Sequence, residues 1–115
     1  MNNAFVRKTL GLLFSAIFVM PAILAAATPS APPAAIEITK FAFAPQEITI
    51  APGTTITWTN RDETPHTVTS NDKQFASKGL DTDDKFAHTF ASEGDFSYFC
   101  TVHPFMTGVV HVRKQ

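Results

Sequence analysis

The residue types best suited to chemistry lie in one short stretch near the C-terminus, from Cys100 to Met106. It contains the only cysteine of the sequence, with His103 three residues later and Met106 three residues after that. A turn returns to roughly the same face every three to four residues, so ligands at this spacing can converge on one ion. Thiolate, imidazole and thioether are soft or borderline ligands, which suit copper rather than calcium or magnesium.

One more imidazole would complete such a site, and His66, which follows Pro65, is the upstream candidate. Two histidines, one cysteine and a weak methionine ligand form the blue-copper type of electron-transfer site. We therefore predict one mononuclear copper ion, bound by His66, Cys100, His103 and Met106. Zinc is the alternative metal because cysteine and histidine also bind it. The thioether favours copper, since soft ligands of this kind select it.

Each of these residues also has a purely structural interpretation. A single cysteine is often an inert buried thiol, and a single methionine often fills a gap in the core. The matching spacing within one loop favours ligands over both alternatives. His88, between two phenylalanines on one strand, is expected to be a partly buried structural residue, and His111 is expected to be exposed on the last strand.

Composition excludes some classes of function. The 115 residues suffice for one domain, and the formal net charge of −1 supplies no basic surface to neutralise the phosphates of a nucleic acid. One cysteine cannot form an intramolecular disulfide. In an exported protein it is an intermolecular partner, a reactive thiol or a ligand.

The N-terminal residues predict export. Residues 1–27 have a basic start at Arg7 and Lys8, an apolar run and small residues before a cleavage site, as in a secretory signal peptide. An uncleaved membrane anchor is the alternative, because the apolar run approaches the lower limit for a span. Residues 28–35 are rich in proline and alanine and are expected to be an extended tether. The folded domain is then residues 36–115, located in the periplasm with no membrane contact after cleavage.

The rest of the chain predicts an all-β protein. Ile36, Ile38, Phe41 and Phe43 are taken as one strand that ends at Pro45. Further strands are expected at residues 47–50, 54–59, 66–69, 86–90, 96–100 and 108–112, with residues 71–85 crossing between sheets. Seven or eight short strands separated by turns are typical of a Greek-key β-sandwich.

Several of these segments resemble the cupredoxin (blue-copper) family. They are Phe43-Ala44-Pro45, Pro52-Gly53-Thr54, Trp58-Thr59-Asn60, Pro65-His66-Thr67-Val68 and residues 94–100. The loop from Cys100 to Met106 is similar to the ligand loop of amicyanin-type cupredoxins, whereas plastocyanins and azurins have longer loops. The resemblance covers nearly all of the chain after the signal peptide and implies a cupredoxin-like fold.

The resemblance also implies roles around the metal. His66, Cys100 and His103 would be equatorial ligands and Met106 the axial one. Asn60 would tie the two ligand loops together by hydrogen bonds near the sulfur, where Thr101 and Val102 also lie. Amicyanins have a proline at the position of Val102. If the N–H of Val102 points at the sulfur, it should favour Cu(I) and raise the reduction potential.

The predicted function is a shuttle for single electrons between redox proteins. Pro65, Pro104 and Phe105 are expected to form an apolar docking patch around the edge of His103. The resemblance implies partners such as a c-type cytochrome or a periplasmic dehydrogenase or reductase, and a monomer is expected. A site with all four positions filled has no open position for a substrate, so an enzyme is not expected. A periplasmic copper carrier or buffer without an electron-transfer role is the alternative.

Overall fold

The computed structural model describes residues 11–23 and 31–115. Much of the predicted signal peptide and tether, residues 1–10 and 24–30, lies outside the described residues. Residues 11–23 form neither helix nor strand, and their side chains are exposed. No helix in the described part of the chain is long and apolar enough to cross a membrane. The boundary at residue 27 stays a prediction, and the first strand begins at Ala34, two residues before the predicted start of the folded domain.

Two four-stranded sheets make up the domain, which confirms the predicted β-sandwich. The strands are β1 Ala34–Thr39, β2 Ala42–Ala44, β3 Glu47–Ile50, β4 Thr54–Asn60, β5 Thr69–Ser70, β6 Lys85–Phe90, β7 Gly94–Phe99 and β8 Thr107–Val112. One sheet has the order β2-β1-β4-β6 and the other β3-β8-β7-β5. Most neighbours are antiparallel, but β1 pairs with β4 and β3 pairs with β8 in parallel.

The core lies between the two sheets and follows the alternation of the strands. In β1, Ile36 and Ile38 are buried while Glu37 between them is exposed. Trp58 of β4 is fully buried and contacts aromatic rings from other elements, including Phe75 and Tyr98. Because successive side chains of a strand point to opposite faces, this pattern fixes the register and hence the position of each strand end.

The prediction of one strand from Ile36 to Phe43 is wrong. The apolar positions change from even to odd numbers between Ile38 and Phe41, and the structure makes a two-residue turn at that point, so β1 and β2 form an antiparallel hairpin. Lys40 and Phe41 have φ of 52° and 56°. Left-handed backbone costs roughly 1–2 kcal/mol for each such residue, so other contacts must hold this turn.

The segment after the polar loop also differs from the prediction. Residues 66–69 do not form one strand, because only Thr69 and Ser70 pair with β7, as β5. His66 instead forms an isolated bridge with Leu80. The chain between β5 and β6 crosses from one sheet to the other, as predicted. These connections place His66 and Cys100 at the same end of the sandwich.

Candidate metal centre

The first part of the site is the short loop between β7 and β8. Strand β7 ends at Phe99, so Cys100 is the first residue beyond it. The loop is closed by two backbone hydrogen bonds, from Cys100 N to Met106 O at 3.1 Å and from Met106 N to His103 O at 2.9 Å. Cys100 and Met106 are buried and His103 is half-buried. A tight loop with this bonding brings the three side chains to one end of the domain.

The second part is the segment that carries His66. Its N–H donates to Leu80 O at 3.1 Å, and the N–H of Leu80 donates back to His66 O at 2.7 Å. The His66 side chain is fully buried. Both backbone groups are thus satisfied by a neighbouring segment, which fixes the position of the imidazole.

These two parts bring three potential ligand atoms together. His66 Nδ1 and His103 Nδ1 are 3.1 Å apart, and they lie 3.8 and 3.9 Å from Cys100 Sγ. An ion at the centre of this triangle would be about 2.1 Å from each atom, within the range of metal–nitrogen and metal–sulfur bonds. The three residues therefore fit a copper ion in both donor chemistry and size. Met106 is buried at the end of the same loop, and its thioether would be a suitable fourth ligand for copper.

Asp62 determines which nitrogen of His66 faces the site. His66 Nε2 lies 2.8 Å from Asp62 Oδ2. Burial by itself would raise the pKa of the Asp62 carboxyl, but hydrogen bonds from the N–H of Phe41, from His66 and from the N–H of Lys40 outweigh it and hold this pKa below its usual range. The carboxylate therefore accepts, Nε2 of His66 carries the hydrogen, and Nδ1 keeps a free lone pair toward the site.

Thr67 joins the two ligand segments directly. Its N–H donates to Cys100 Sγ at 3.4 Å, and its Oγ1 accepts from the N–H of Thr101 at 2.8 Å and bonds the Thr101 hydroxyl at 2.8 Å. A hydrogen bond to the sulfur stabilises the thiolate form that binds a metal. Thr101, the residue after the cysteine, is thereby joined to Thr67 on the other segment.

Asn60 has a different role from the predicted one. Its Nδ2 donates to Thr64 O at 3.0 Å and Leu80 O at 2.8 Å, and its Oδ1 accepts from the N–H of Asp62 at 2.9 Å. It is fully buried and shapes the segment before His66. The prediction that Asn60 ties the two ligand loops together is wrong, because its partners lie in the polar loop and at Leu80.

Val102 and the predicted docking residues lie at the surface. Val102 is 54% exposed, and the hydrogen bonds of the described residues include none from its N–H to the sulfur. The raised reduction potential predicted from that bond thus has no support in this geometry. Pro65, Pro104 and Phe105 are all exposed. Phe105 contacts the ring of His103, with centroids 6.1 Å apart.

The two remaining histidines lie away from this cluster. His88 is half-buried against the ring of Phe75, with centroids 4.6 Å apart, and this burial lowers its pKa. His111 is half-buried rather than exposed as predicted, because it lies on the sheet between Glu47 and Asp95. The hydrogen bond to Asp95 raises the pKa of His111 in spite of that partial burial.

Three residues of the site were not singled out from the sequence. They are Asp62, Thr67 and Phe41, whose ring lies edge-on to both His66 and His103 with centroids 5.2 and 5.1 Å away. Asp62 is one of several acidic residues in a polar loop, so its position carries no special signal. The change of phase before Phe41 was the one available sign of a turn at that point.

Comparisons with known proteins agree with this geometry. Residues 33–113 match the family of copper binding proteins described as plastocyanin/azurin. Amicyanin of Paracoccus versutus is 35% identical over 95 residues, which cover 78% of this chain and 72% of that protein. A solved purple cupredoxin from Nitrosopumilus maritimus is 36% identical with a TM-score of 0.66, over 70% of this chain and 99% of that one. The chain belongs to the plastocyanin/azurin family of copper-binding proteins.

This membership confirms the predicted cupredoxin class and one mononuclear copper ion, for which His66, Cys100 and His103 form the candidate site. It also supports an electron-transfer protein of the blue-copper type. A copper-containing nitrite reductase from Thermus scotoductus has the same fold, with a TM-score of 0.69 and 24% identity. The match covers 84% of this chain but 26% of that longer one, so it shows the fold alone.

Proposed function

We propose that this chain is an exported, periplasmic carrier of single electrons and not an enzyme. It would exchange electrons with redox proteins such as a c-type cytochrome or a periplasmic dehydrogenase or reductase, and it would act as a monomer. His66, Cys100 and His103 would hold the copper ion, with Met106 as a fourth, weaker ligand. A copper ion held there would supply the chemistry by alternating between Cu(II) and Cu(I).

The observation that carries the proposal is the triangle of ligand atoms described above. Two imidazole nitrogens and a sulfur, 3.1 to 3.9 Å apart, match the trigonal arrangement of blue-copper sites. The surrounding hydrogen bonds hold these atoms in place without the ion, through Asp62, Leu80 and Thr67. A site fixed by the protein changes little between oxidation states, which favours fast electron transfer.

The surface around His103 supports transfer to a protein partner. Within residues 31–115, the exposed large hydrophobic side chains are Phe41, Val102 and Phe105, and all three lie next to His103 in sequence or in ring contact. His103 is itself half-buried, so it joins the buried sulfur to this apolar patch. Weak redox encounters use small interfaces of below about 1,200 Å², which an apolar patch of this kind can supply.

The test is a redox titration of the protein isolated with copper. We expect one copper ion in each chain, an intense visible band from sulfur-to-copper charge transfer, and reversible loss and return of that band with one electron. The variant Cys100→Ser should lose the band. The matched control His88→Gln, which changes a histidine outside the site, should keep it.

Two results would contradict the proposal. Copper that passes stoichiometrically to an acceptor but does not cycle reversibly would favour the copper carrier. Turnover of nitrite or another small substrate by the isolated chain would favour an enzyme.

A further inference from the structure

Three hydrogen-bond donors converge on the carboxylate of Asp62. The N–H of Lys40 donates to Oδ1 at 2.7 Å, the N–H of Phe41 donates to Oδ2 at 2.9 Å, and His66 Nε2 lies 2.8 Å from the same Oδ2. The Asp62 side chain is 13% exposed, so water has little access to compete for these bonds. Two of the donors belong to the turn between β1 and β2, and the third belongs to a predicted metal ligand.

The hydrogen bond between Asp62 and His66 determines which ring nitrogen of His66 carries the hydrogen. A neutral imidazole has one N–H, and the carboxylate takes it at Nε2. Nδ1, which lies 3.8 Å from Cys100 Sγ, is then left as an acceptor for a metal. The opposite tautomer would direct an N–H into the triangle of ligand atoms and oppose metal binding.

The bonds to Lys40 and Phe41 hold an unfavourable turn. Both residues have left-handed backbone, with φ of 52° and 56°, and two-residue hairpin turns of this kind prefer asparagine and glycine. Strained backbone persists where its surroundings fix it, and it concentrates at functional sites. Here the turn places the Phe41 ring edge-on against both His66 and His103.

We infer that Asp62 is a positioning residue that uses one carboxylate to fix both the tautomer of His66 and the turn that presses Phe41 onto the two histidines. The inference rests on the proposed copper site, which it deepens. A carboxylate on the distal nitrogen of a histidine ligand raises the basicity of that ligand. A more basic ligand stabilises Cu(II) more than Cu(I), so Asp62 lowers the reduction potential.

The variant Asp62→Asn tests this because an amide has the same shape but a single oxygen. If that oxygen faces Lys40, the amide N–H₂ confronts Phe41 and His66; if it faces these two, the amide confronts Lys40. At least one donor loses its acceptor in either orientation. The control is Asp83→Asn, which removes the same charge from a carboxylate that pairs with Arg61 and leaves the Asp62 bonds in place.

The first readout is NMR of the metal-free and the zinc-loaded protein. In the wild type we expect His66 to carry its hydrogen on Nε2, and the amides of Lys40 and Phe41 to be protected from exchange. In the metal-free protein, Asp62→Asn should lower the protection of the Lys40 amide, or else lower that of the Phe41 amide and disturb the tautomer of His66, whereas Asp83→Asn should change neither. A wild-type His66 protonated on Nδ1 would overturn the inference with no variant needed.

The second readout is the reduction potential of the copper-loaded protein. We expect Asp62→Asn to raise the ratio of Cu(I) to Cu(II) at a fixed applied potential about tenfold, which is about 59 mV for one electron. An equal shift of the reduction potential in Asp83→Asn would show that loss of one negative charge explains the whole effect, and it would overturn the inference. If the chain fails to cycle electrons but the NMR pattern holds, the proposed function is refuted and the role of Asp62 stands.

Discussion

The two histidines of the metal centre are held in opposite ways. His66 is fully buried, its backbone is bonded on both sides to Leu80, and its distal nitrogen bonds Asp62. His103 is half-buried in a short loop, and aromatic rings flank it at the surface. His66 is therefore anchored in the domain, whereas His103 can be reached from the surface.

The difference shows how one site can combine rigidity with access. The anchored side fixes the geometry that both oxidation states must share. The exposed side gives an electron a short route from the buried sulfur to the surface. Substitutions on the two sides should therefore have different effects.

Replacing each histidine by glycine should have the largest effect and should separate the two sides. His103→Gly opens a gap at the surface, so added imidazole should enter it and restore most of the visible band of the copper protein. His66→Gly should destabilise the fold by about 2–5 kcal/mol, because it leaves a buried cavity, and imidazole should restore little. The measurement is the band intensity during an imidazole titration, with denaturant unfolding alongside.

Equal recovery by the two glycine variants would break the comparison. It would mean that His66 is as accessible as His103, against the full burial of its side chain.

Removing the hydrogen bonds between Thr67 and Thr101, which join the two ligand segments, should have the next largest effect. Thr67→Val keeps the shape and the backbone bond to the sulfur but removes the hydroxyl that bonds the N–H and the hydroxyl of Thr101. We expect a loss of about 1–3 kcal/mol in the free energy of unfolding. Thr55→Val is the matched control, since it removes a hydroxyl pair with Thr89 at an exposed position and should cost within about 0.5 kcal/mol. Identical losses would show that Thr67 has no special role.

The anchored and exposed sides were not equally visible in the sequence. Cys100, His103 and Met106 share one loop, so their spacing alone indicated a common site. The strand pattern likewise predicted the sandwich, because alternation reports directly which face is buried. His66 could be named as a candidate, but its distance from Cys100 depends on a bridge to Leu80 and on Thr67.

Asp62 and the β1–β2 turn could not be predicted for the same physical reason. Their roles come from contacts between residues 21 and 22 positions apart, made by side chains that look like ordinary loop residues. The linking role of Asn60 was predicted from the resemblance to the cupredoxin family. A side chain has several partners within reach, and only the folded geometry selects among them.

The exposed side can be weakened separately from the metal. Phe105→Ser removes a side chain that is 71% exposed and should leave the visible band and the reduction potential unchanged. If partners dock on the patch, losing this apolar contact should slow electron self-exchange between copies of the protein by about tenfold or more, since burying such a ring contributes about 1.5–3 kcal/mol. Self-exchange measured by NMR line broadening tests this, and an unchanged rate would place docking elsewhere.

Replacing the two histidines outside the site should have the smallest effect, which is a change in how stability depends on pH. His111 and His88 should change it in opposite directions. The Asp95 hydrogen bond raises the pKa of His111, and the His111 and Arg113 bonds lower the pKa of Asp95. The stability that protonated His111 contributes is lost as the pH rises through its raised pKa. The stability that ionised Asp95 contributes is lost as the pH falls through its lowered pKa. His111→Gln should therefore lower stability most between about pH 4 and 6.5.

His88→Gln should act in the opposite direction. Burial lowers the pKa of His88, so below about pH 6.5 the unfolded chain binds a proton that the folded chain does not. The free energy of unfolding therefore decreases as the pH is lowered. Removing this histidine should make the protein less sensitive to acid. Urea midpoints between pH 4 and 8 measure both variants, and parallel curves would contradict the assigned pKa directions.

The most direct test of the site is X-ray absorption at the copper edge of the loaded protein. We expect two imidazole nitrogens and one sulfur at about 2.0–2.3 Å from the ion, with the sulfur lost in Cys100→Ser. A copper shell with one imidazole or without sulfur in the wild type would contradict the convergence of His66, Cys100 and His103 on one ion.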